Sequence, residues 1–270
     1  MTMSDSLRVA LSQLAIADGD KETNLRAIED SIQQAFAQQA DILVLPELSL
    51  TGLTAKDEMT SLAEESDGPS LQKIRSMLRD CPVNLVVSFP ERGPDGEIYI
   101  ATSLLTSTGA VAAHYRKTHL FQEENLIFTP GNELVNTRFK SLKLGLLTCY
   151  DLEFPEASRV LALRGSQLLV VNSANMTPYE SVHRLLVQAR AMENQCFVAY
   201  CNRVGANDAY HYPGQSCVAG PFGEILLAMD EDAQRLQVVD LPLIRLQEAR
   251  QAFDYLKERR SGLYDLDATV

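Results

Sequence analysis

The sequence predicts an α/β fold whose sheets mix parallel and antiparallel strands. Short, continuously apolar runs alternate with longer segments whose apolar residues recur at helical spacing, as parallel α/β units require. Twice, two strand-like runs are separated by only a few turn-forming residues, which marks a hairpin and hence antiparallel pairing. A chain of 270 residues with 46% hydrophobic and 22% charged residues can bury a sizeable core.

The elements follow in order. Residues 7–14 read as a first strand. A helix over 21–39 places Leu25, Ile28, Ile32 and Phe36 on one face. The run 41–45 suits a strand covered on both sides and leads into Pro46-Glu47. A second helix over 70–80 turns Leu71, Ile74 and Leu78 inward, and 83–88 is the next strand. Runs 98–106 and 110–115 flank Ser107-Thr108-Gly109, the first hairpin. The pattern then repeats. A strand over 142–148 ends at Cys149, and a helix over 155–164 is begun by proline and stopped by Gly165. A strand over 168–171, a helix over 182–194 and a strand over 197–201 come next. Runs 216–219 and 225–228 flank a turn from Gly220 to Glu224, and 236–240 is the last strand. No Pro/Gly/Ser-rich linker interrupts this order, so one domain over 1–270 is expected, with a C-terminal tail from about 242. Phe253, Tyr255, Leu256, Leu263 and Tyr264 in that tail need a surface to pack on, and a second subunit would supply it.

Composition narrows the function. The net charge is −12 and Lys and Arg form no patch, so neither nucleic acid nor an anionic membrane is an expected partner. No apolar run approaches the roughly 20 residues that span a bilayer. The polar start, Met1 to Leu7, does not read as a signal peptide, and a cytoplasmic location is expected. Of the five cysteines, Cys81, Cys149, Cys196, Cys201 and Cys217, no two form a C-x-x-C pair. The odd number fits neither a disulfide framework nor a structural zinc site. Most such cysteines are small buried hydrophobes in a reducing compartment.

Three polar residues stand just past predicted strands: Glu47, Lys117 and Cys149. Ligands of α/β sheets gather beyond the carboxyl ends of strands. Their chemistry is complementary. A thiol needs a base to become a nucleophile, and a carboxylate can take its proton and return it to a leaving amine. An ammonium, together with the backbone N–H of Tyr150, suits the oxyanion of an attacked carbonyl. Taken singly, each has an ordinary structural reading: a core-filling Cys, a turn-capping Glu, a solvated Lys.

The residues around them carry more. Leu45-Pro-Glu-Leu-Ser-Leu-Thr-Gly52, Tyr115-Arg-Lys-Thr-His-Leu-Phe121, Phe128-Thr-Pro-Gly131 and Cys149-Tyr-Asp-Leu-Glu-Phe-Pro-Glu156 occur in this order. Ala174-Asn-Met-Thr-Pro178, Ala189-Arg-Ala-Met-Glu-Asn-Gln195 and Gly214-Gln-Ser216 follow. Several ordered motifs over roughly residues 7 to 245 resemble the nitrilase superfamily of carbon–nitrogen hydrolases. The resemblance implies a four-layer α-β-β-α sandwich with mixed sheets. It also implies a Glu-Lys-Cys triad at Glu47, Lys117 and Cys149, acting through a thioester with no metal or organic cofactor. The family's second glutamate falls on Glu123 or Glu124, and Glu124 fits better because it opens the stretch leading to Phe-Thr-Pro-Gly131. Its implied role is to hold Lys117. A homodimer joined through the helices at Pro155 and Val182, or a higher homo-oligomer, is also implied, with Arg190 and Glu193 pairing within or near that interface. His119, inside the lysine motif, is expected to be structural.

Substrate class is read from departures. Nitrilases of this superfamily usually carry Trp-Glu after the nucleophile, whereas this chain has Tyr150-Asp151 and no Trp at all. That favours a carboxamide. Many members carry Arg where this chain has Glu153, and a carboxylate there suits a cationic substrate. The alternative is that Glu153 faces solvent or pairs with Arg159 or Arg184. Cys149-Tyr-Asp-Leu-Glu-Phe-Pro-Glu156, Ser173-Ala-Asn-Met-Thr-Pro-Tyr-Glu180 and Glu193-Asn-Gln-Cys196 together resemble bacterial aliphatic amidases acting on amino-bearing amides, including 5-aminopentanamidase and R-stereoselective amidases. That resemblance places Tyr150, Glu153, Asn175 and Tyr179 at the substrate. Hydrolysis of N-carbamoyl amines or amino acids is the competing reading. A non-catalytic binding protein on the same fold is the reading from a different class.

Overall fold

The computed structural model describes residues 6–264. Residues 1–5 of the polar start and 265–270 of the tail lie outside the described residues. In chain order the strands are β1 (Ser6–Gln13), β2 (Ile42–Val44), β3 (Asn84–Arg92), β4 (Ile98–Leu105), β5 (Val111–Arg116), β6 (Asn136–Phe139) and β7 (Leu142–Thr148). They continue as β8 (Leu168–Ser173), β9 (Phe197–Asn202), β10 (Val204–Ala206), β11 (His211–Pro213), β12 (Cys217–Ala219), β13 (Ile225–Ala228) and β14 (Arg235–Pro242). The helices are α1 (Lys21–Ala37), α2 (Lys56–Leu62), α3 (Pro69–Asp80), α4 (Glu124–Ile127), α5 (Pro155–Leu163), α6 (Glu180–Asn194) and α7 (Ile244–Ala252). A 3-10 turn spans Cys149–Glu153.

Two six-stranded sheets run in the orders β14-β1-β2-β3-β4-β5 and β13-β12-β9-β8-β7-β6. Strands β1, β2 and β3 are parallel, as are β7, β8 and β9, and the outer strands pair antiparallel. Both expected hairpins are present, β4 with β5 and β12 with β13.

Alternation along the strands explains the layers. Val9, Leu11, Ile42, Val44 and Val86 meet Leu144, Leu146, Leu168, Val170, Phe197 and Ala199 between the sheets. The intervening residues Ala10, Leu43, Leu45, Leu85 and Val87 face outward onto Leu25, Ile28 and Ile32 of α1 and Leu71, Ile74 and Leu78 of α3. On the other side Leu147, Leu169, Val171, Val198 and Tyr200 meet Ala157 and Leu161 of α5 and Val187 and Ala191 of α6. The result is the four-layer α-β-β-α sandwich. Each fully buried aliphatic side chain contributes about 1.5–3 kcal/mol of transfer free energy, so strands β2 and β8, buried along their whole length, anchor the two layers.

Some expectations need correction. Phe36 is not on the inner face of α1; it is 46% exposed, and Ala35 is buried instead. The 3.6-residue period carries the stripe from Ile32 to the i+3 position, where a small residue fits against the sheet. The tail begins with a helix, α7, that packs Leu246 and Ala249 inward. Gln195 at the end of α6 accepts from Tyr255 N–H at 3.1 Å and donates to the Ala249 carbonyl at 2.8 Å, tying tail to body. Phe253, Tyr255, Leu263 and Tyr264 remain exposed.

Candidate active site

The cleft lies beyond the carboxyl ends of β2, β5, β7 and β8. Glu47 stands three residues past β2, Lys117 immediately past β5, and Cys149 immediately past β7. Glu47 is 2% exposed and Lys117 is fully buried, while Cys149 is half-buried.

Lys117 is the centre of a carboxylate clamp. Its Nζ donates to Glu47 Oε1 at 2.8 Å and to Glu124 Oε1 and Oε2 at 2.9 and 2.7 Å. Burial alone would push its proton affinity down. The carboxylates of Glu124 and Glu47 outweigh burial and hold the ammonium well above the ordinary lysine range. Burial pushes Glu124 up to about 7; the charge of Glu47 adds to this and Lys117 partly opposes it. Glu124 also accepts from Phe121 N–H at 2.7 Å, and Glu47 Oε2 from Ala174 N–H at 3.1 Å. Of the two candidate glutamates, Glu124 therefore meets the lysine. Glu123 turns outward, where Tyr210 Oη donates to it at 3.3 Å.

A glycine holds the lysine strand end in place. Gly131 N–H donates to the Lys117 carbonyl at 2.8 Å. A Cβ on Gly131 would lie 2.2 Å from the Arg116 carbonyl oxygen, so no larger residue fits. This is the physical content of the Phe128-Thr-Pro-Gly131 motif.

Cys149 takes a left-handed backbone conformation, φ +47°, which a non-glycine residue adopts only when its surroundings impose it. The restraint is Asp151. Its Oδ2 accepts from Thr148 N–H at 2.9 Å while the Thr148 side chain accepts from the Asp151 N–H, a reciprocal capping box. Asp151 Oδ2 also accepts from Tyr115 Oη at 2.7 Å, and Oδ1 from Thr118 Oγ1 at 2.9 Å and His119 N–H at 3.0 Å. One fully buried carboxylate thus joins the segments carrying Lys117 and Cys149. His119 Nδ1 lies 2.8 Å from Asp151, and its ring stacks on Phe154 at 3.9 Å, so the expected structural histidine is one.

Cys149 keeps part of its surface open to the cleft. Protein packed around the sulfur nevertheless pushes its thiol far up, the charge of Glu47 adds to that, and Lys117 pulls the other way. A resting thiol beside a carboxylate and an ammonium can deliver a nucleophile only as its proton leaves.

Cys149, Glu47, Glu124, Tyr150, Glu153, Asn175 and Tyr179 all line one narrow cleft. Its volume is about 40 Å³, room for a few water molecules at roughly 10–15 Å³ each. Phe121 meets Tyr150 edge-on at 5.2 Å and Tyr179 at 5.8 Å, forming an aromatic wall. Asn175 is pinned by Asn202, whose Oδ1 accepts its N–H at 2.8 Å. Glu153 is paired with neither Arg159 nor Arg184; its Oε1 lies 3.1 Å from His183 Nε2. Arg190 pairs with Glu193 at 3.2 Å and also donates to the carbonyls of Leu152 and Glu153, at 3.0 and 2.9 Å.

Sequence reasoning missed Asp151, His183, Phe121, Met176 and Tyr212. The Thr148-x-x-Asp151 spacing of a capping box was a usable signal for the first. His183 and Arg190 share one face of α6 at helical spacing, but nothing local ties them to Glu153.

Fold and cleft together bring a cysteine, a lysine and two glutamates to one place at the strand ends. The family model described as carbon-nitrogen hydrolase matches residues 8–251, and the chain belongs to that family, within the nitrilase superfamily. It is thus an enzyme acting on carbon–nitrogen bonds other than peptide bonds. An (R)-stereoselective amidase of Pseudomonas sp. is 39% identical over 255 residues, covering 94% of this chain and 92% of that one. A variant of the amidase from Nesterenkonia sp. AN1 is 34% identical with a TM-score of 0.86, covering 96% of both chains. In that structure the active-site cysteine carries the acetamide moiety of fluoroacetamide. Another variant of the same amidase, in complex with butyramide, is 34% identical with a TM-score of 0.86 and covers 95% of both chains.

Proposed function

We propose that this enzyme hydrolyses a small, amino-bearing aliphatic carboxamide to the carboxylic acid and ammonia, through a thioester on Cys149. The observation that carries the reading is the convergence of Cys149, the Glu47–Lys117–Glu124 clamp and Glu153 on one narrow cleft.

In this reading Glu47 takes the Cys149 proton as the sulfur attacks the amide carbon. Lys117 and the Tyr150 N–H hold the oxyanion; near the start of a helical turn, that N–H has no acceptor within the turn. Glu47 returns the proton to the nitrogen and ammonia leaves, giving the thioester. A water then loses its proton to Glu47, attacks the thioester, and releases the carboxylate and the thiol. Glu124 keeps Lys117 aimed at the oxyanion. Asn175 and Tyr179 line the acyl side, and Glu153 meets the substrate's amino group. The small cleft and the butyramide complex of the Nesterenkonia amidase support a short aliphatic acyl group. The resemblance to the (R)-stereoselective amidase supports an amide over a nitrile.

The reading includes one hydrolase domain over 1–270, a cytoplasmic location and a homodimer through α5 and α6. Free cysteines at all five positions support the location.

Cys149→Ala is expected to abolish ammonia release, while Cys196→Ala and Cys201→Ala, deep in the core, retain it. Turnover by Cys149→Ala would end the proposal. For the substrate, kcat/KM for 5-aminopentanamide is expected to exceed that for pentanamide, with the preference lost in Glu153→Gln. A preference for the neutral amide that Glu153→Gln leaves unchanged would reject the amino-bearing class. Mass spectrometry should find an acyl adduct on Cys149; its absence during turnover would exclude the thioester.

A further inference from the structure

Glu153 is held from below by one helix at two points. Arg190 Nη2 donates to its carbonyl at 2.9 Å, and His183 Nε2 lies 3.1 Å from its Oε1. His183 and Arg190 are two turns apart on the inner face of α6. His183 is 2% exposed, whereas the Glu153 side chain keeps 30% of its surface. Beneath the imidazole lies Tyr200, whose Oη is 3.1 Å from His183 Nδ1, with Ser173 Oγ at 3.5 Å. The Glu153 carboxylate can only accept, so the imidazole donates through Nε2, and the buried Tyr200 hydroxyl keeps its proton to give to Nδ1. A donor at Nδ1 makes that nitrogen the acceptor and leaves the ring proton on Nε2, pointing at Glu153.

We propose that Tyr200 and His183 are positioning residues that make Glu153 a fixed anionic anchor for the substrate's cationic group, and so set substrate specificity. This rests on the amino-bearing reading above and says how the anchor is built. Tyr200 donates to His183, and His183 donates to Glu153 Oε1. Oε2 is then left for an ammonium in the cleft. The other cleft carboxylates are already committed, since Glu47 and Glu124 share the Lys117 ammonium. Glu153 instead has an imidazole donor, which orients it without cancelling its charge. Without that donor a half-buried carboxylate is free to swing to solvent, which removes the anchor.

The test reads the ratio of kcat/KM for 5-aminopentanamide to that for pentanamide. His183→Leu is expected to lower the ratio about tenfold, the size of one hydrogen bond to a charged group. The loss should fall mainly on KM for the cationic amide, as for a lost binding interaction. His183→Gln, which restores an N–H donor, should recover most of it. Tyr200→Phe, which removes only the hydroxyl, should lower it by roughly threefold. In the Glu153→Gln background, His183→Leu should change the ratio no further. A ratio that collapses in Glu153→Gln but is unmoved by His183→Leu and Tyr200→Phe overturns this proposal and leaves the amino-bearing reading intact. A ratio unmoved by Glu153→Gln overturns both. Additive losses in the double variant also overturn it. Should His183→Leu fail to fold, His183→Gln and Tyr200→Phe carry the same test.

Discussion

Asp151 accepts from Thr148, Tyr115, Thr118 and His119 while exposing none of its surface. An amide in its place would turn one acceptor into a donor facing donors. Asp151→Asn is therefore expected to cost about 2–3 kcal/mol of stability, the price of an unsatisfied buried polar group, read as a lower urea midpoint. It should also slow alkylation of Cys149 by iodoacetamide, because the left-handed turn that presents the sulfur loses its brace. Unchanged alkylation would show that the turn holds itself. Glu124 gives a second prediction at this scale. Its carboxyl is pushed up to about 7, foremost by burial and then by Glu47, against the pull of Lys117. Above that pH it is a carboxylate and grips Lys117; as pH falls through it, the clamp takes up a proton and the grip weakens. The fall belongs to the whole Glu47–Lys117–Glu124 group. A plot of kcat/KM should therefore drop on the acid side with a midpoint near pH 7. In Glu124→Gln that limb should disappear along with much of the activity. An unchanged midpoint in the variant would assign the limb to another group.

The strand ends, not the strands, carry the chemistry, and short connecting segments aim them. The sharpest case is Gly131 against the Arg116 carbonyl. Gly131→Ala must push back the end of β5, on which Lys117 sits. Overpacking of this kind costs about 1–3 kcal/mol, and kcat should fall by at least about tenfold as the ammonium leaves its place. Gly262→Ala, whose Cβ would meet nothing within 4 Å, is the control for the substitution itself. Wild-type kcat in Gly131→Ala would mean that the connection has slack. How well each element could be read from sequence follows the same physics. Helices α1, α3, α5 and α6 and strands β1 to β5, β7 to β9 and β12 to β14 were legible because buried faces and turn residues leave a pattern in the chain. Helices α2, α4 and α7 and strands β6, β10 and β11 were not: most are short, and several bury too little to leave a pattern. The positions of Glu47, Lys117, Glu124 and Cys149 were legible through ordered motifs. The Glu153–His183–Tyr200 chain was not, because its links join residues 30 and 17 positions apart and no local rule ties a helix histidine to a carboxylate across the sheet end.

At the scale of the whole molecule, the outer helix layer beyond the second sheet is finished on one side only. The inner face of α6 buries His183, Val187, Arg190, Ala191 and Asn194. Its opposite face carries Leu185, 68% exposed, and Met192, and Leu163 at the end of α5 is exposed as well. Gln195, at the end of α6, pins the segment that displays Phe253 and Tyr255 to the same region. Removing such side chains from water gains about 1.5–3 kcal/mol each, and a stable interface needs roughly 800 Å² per partner, which the exposed faces of α5 and α6 and the aromatic tail can supply. The protein is therefore expected to sediment as a dimer at micromolar concentration. Leu185→Asp would place a charge where the two copies meet and should halve the mass without lowering the thermal midpoint of the protomer by more than about 2 °C, since the residue buries little within its own chain. A monomeric wild-type protein, or a Leu185→Asp variant that stays dimeric, would move the interface to another face of the sandwich.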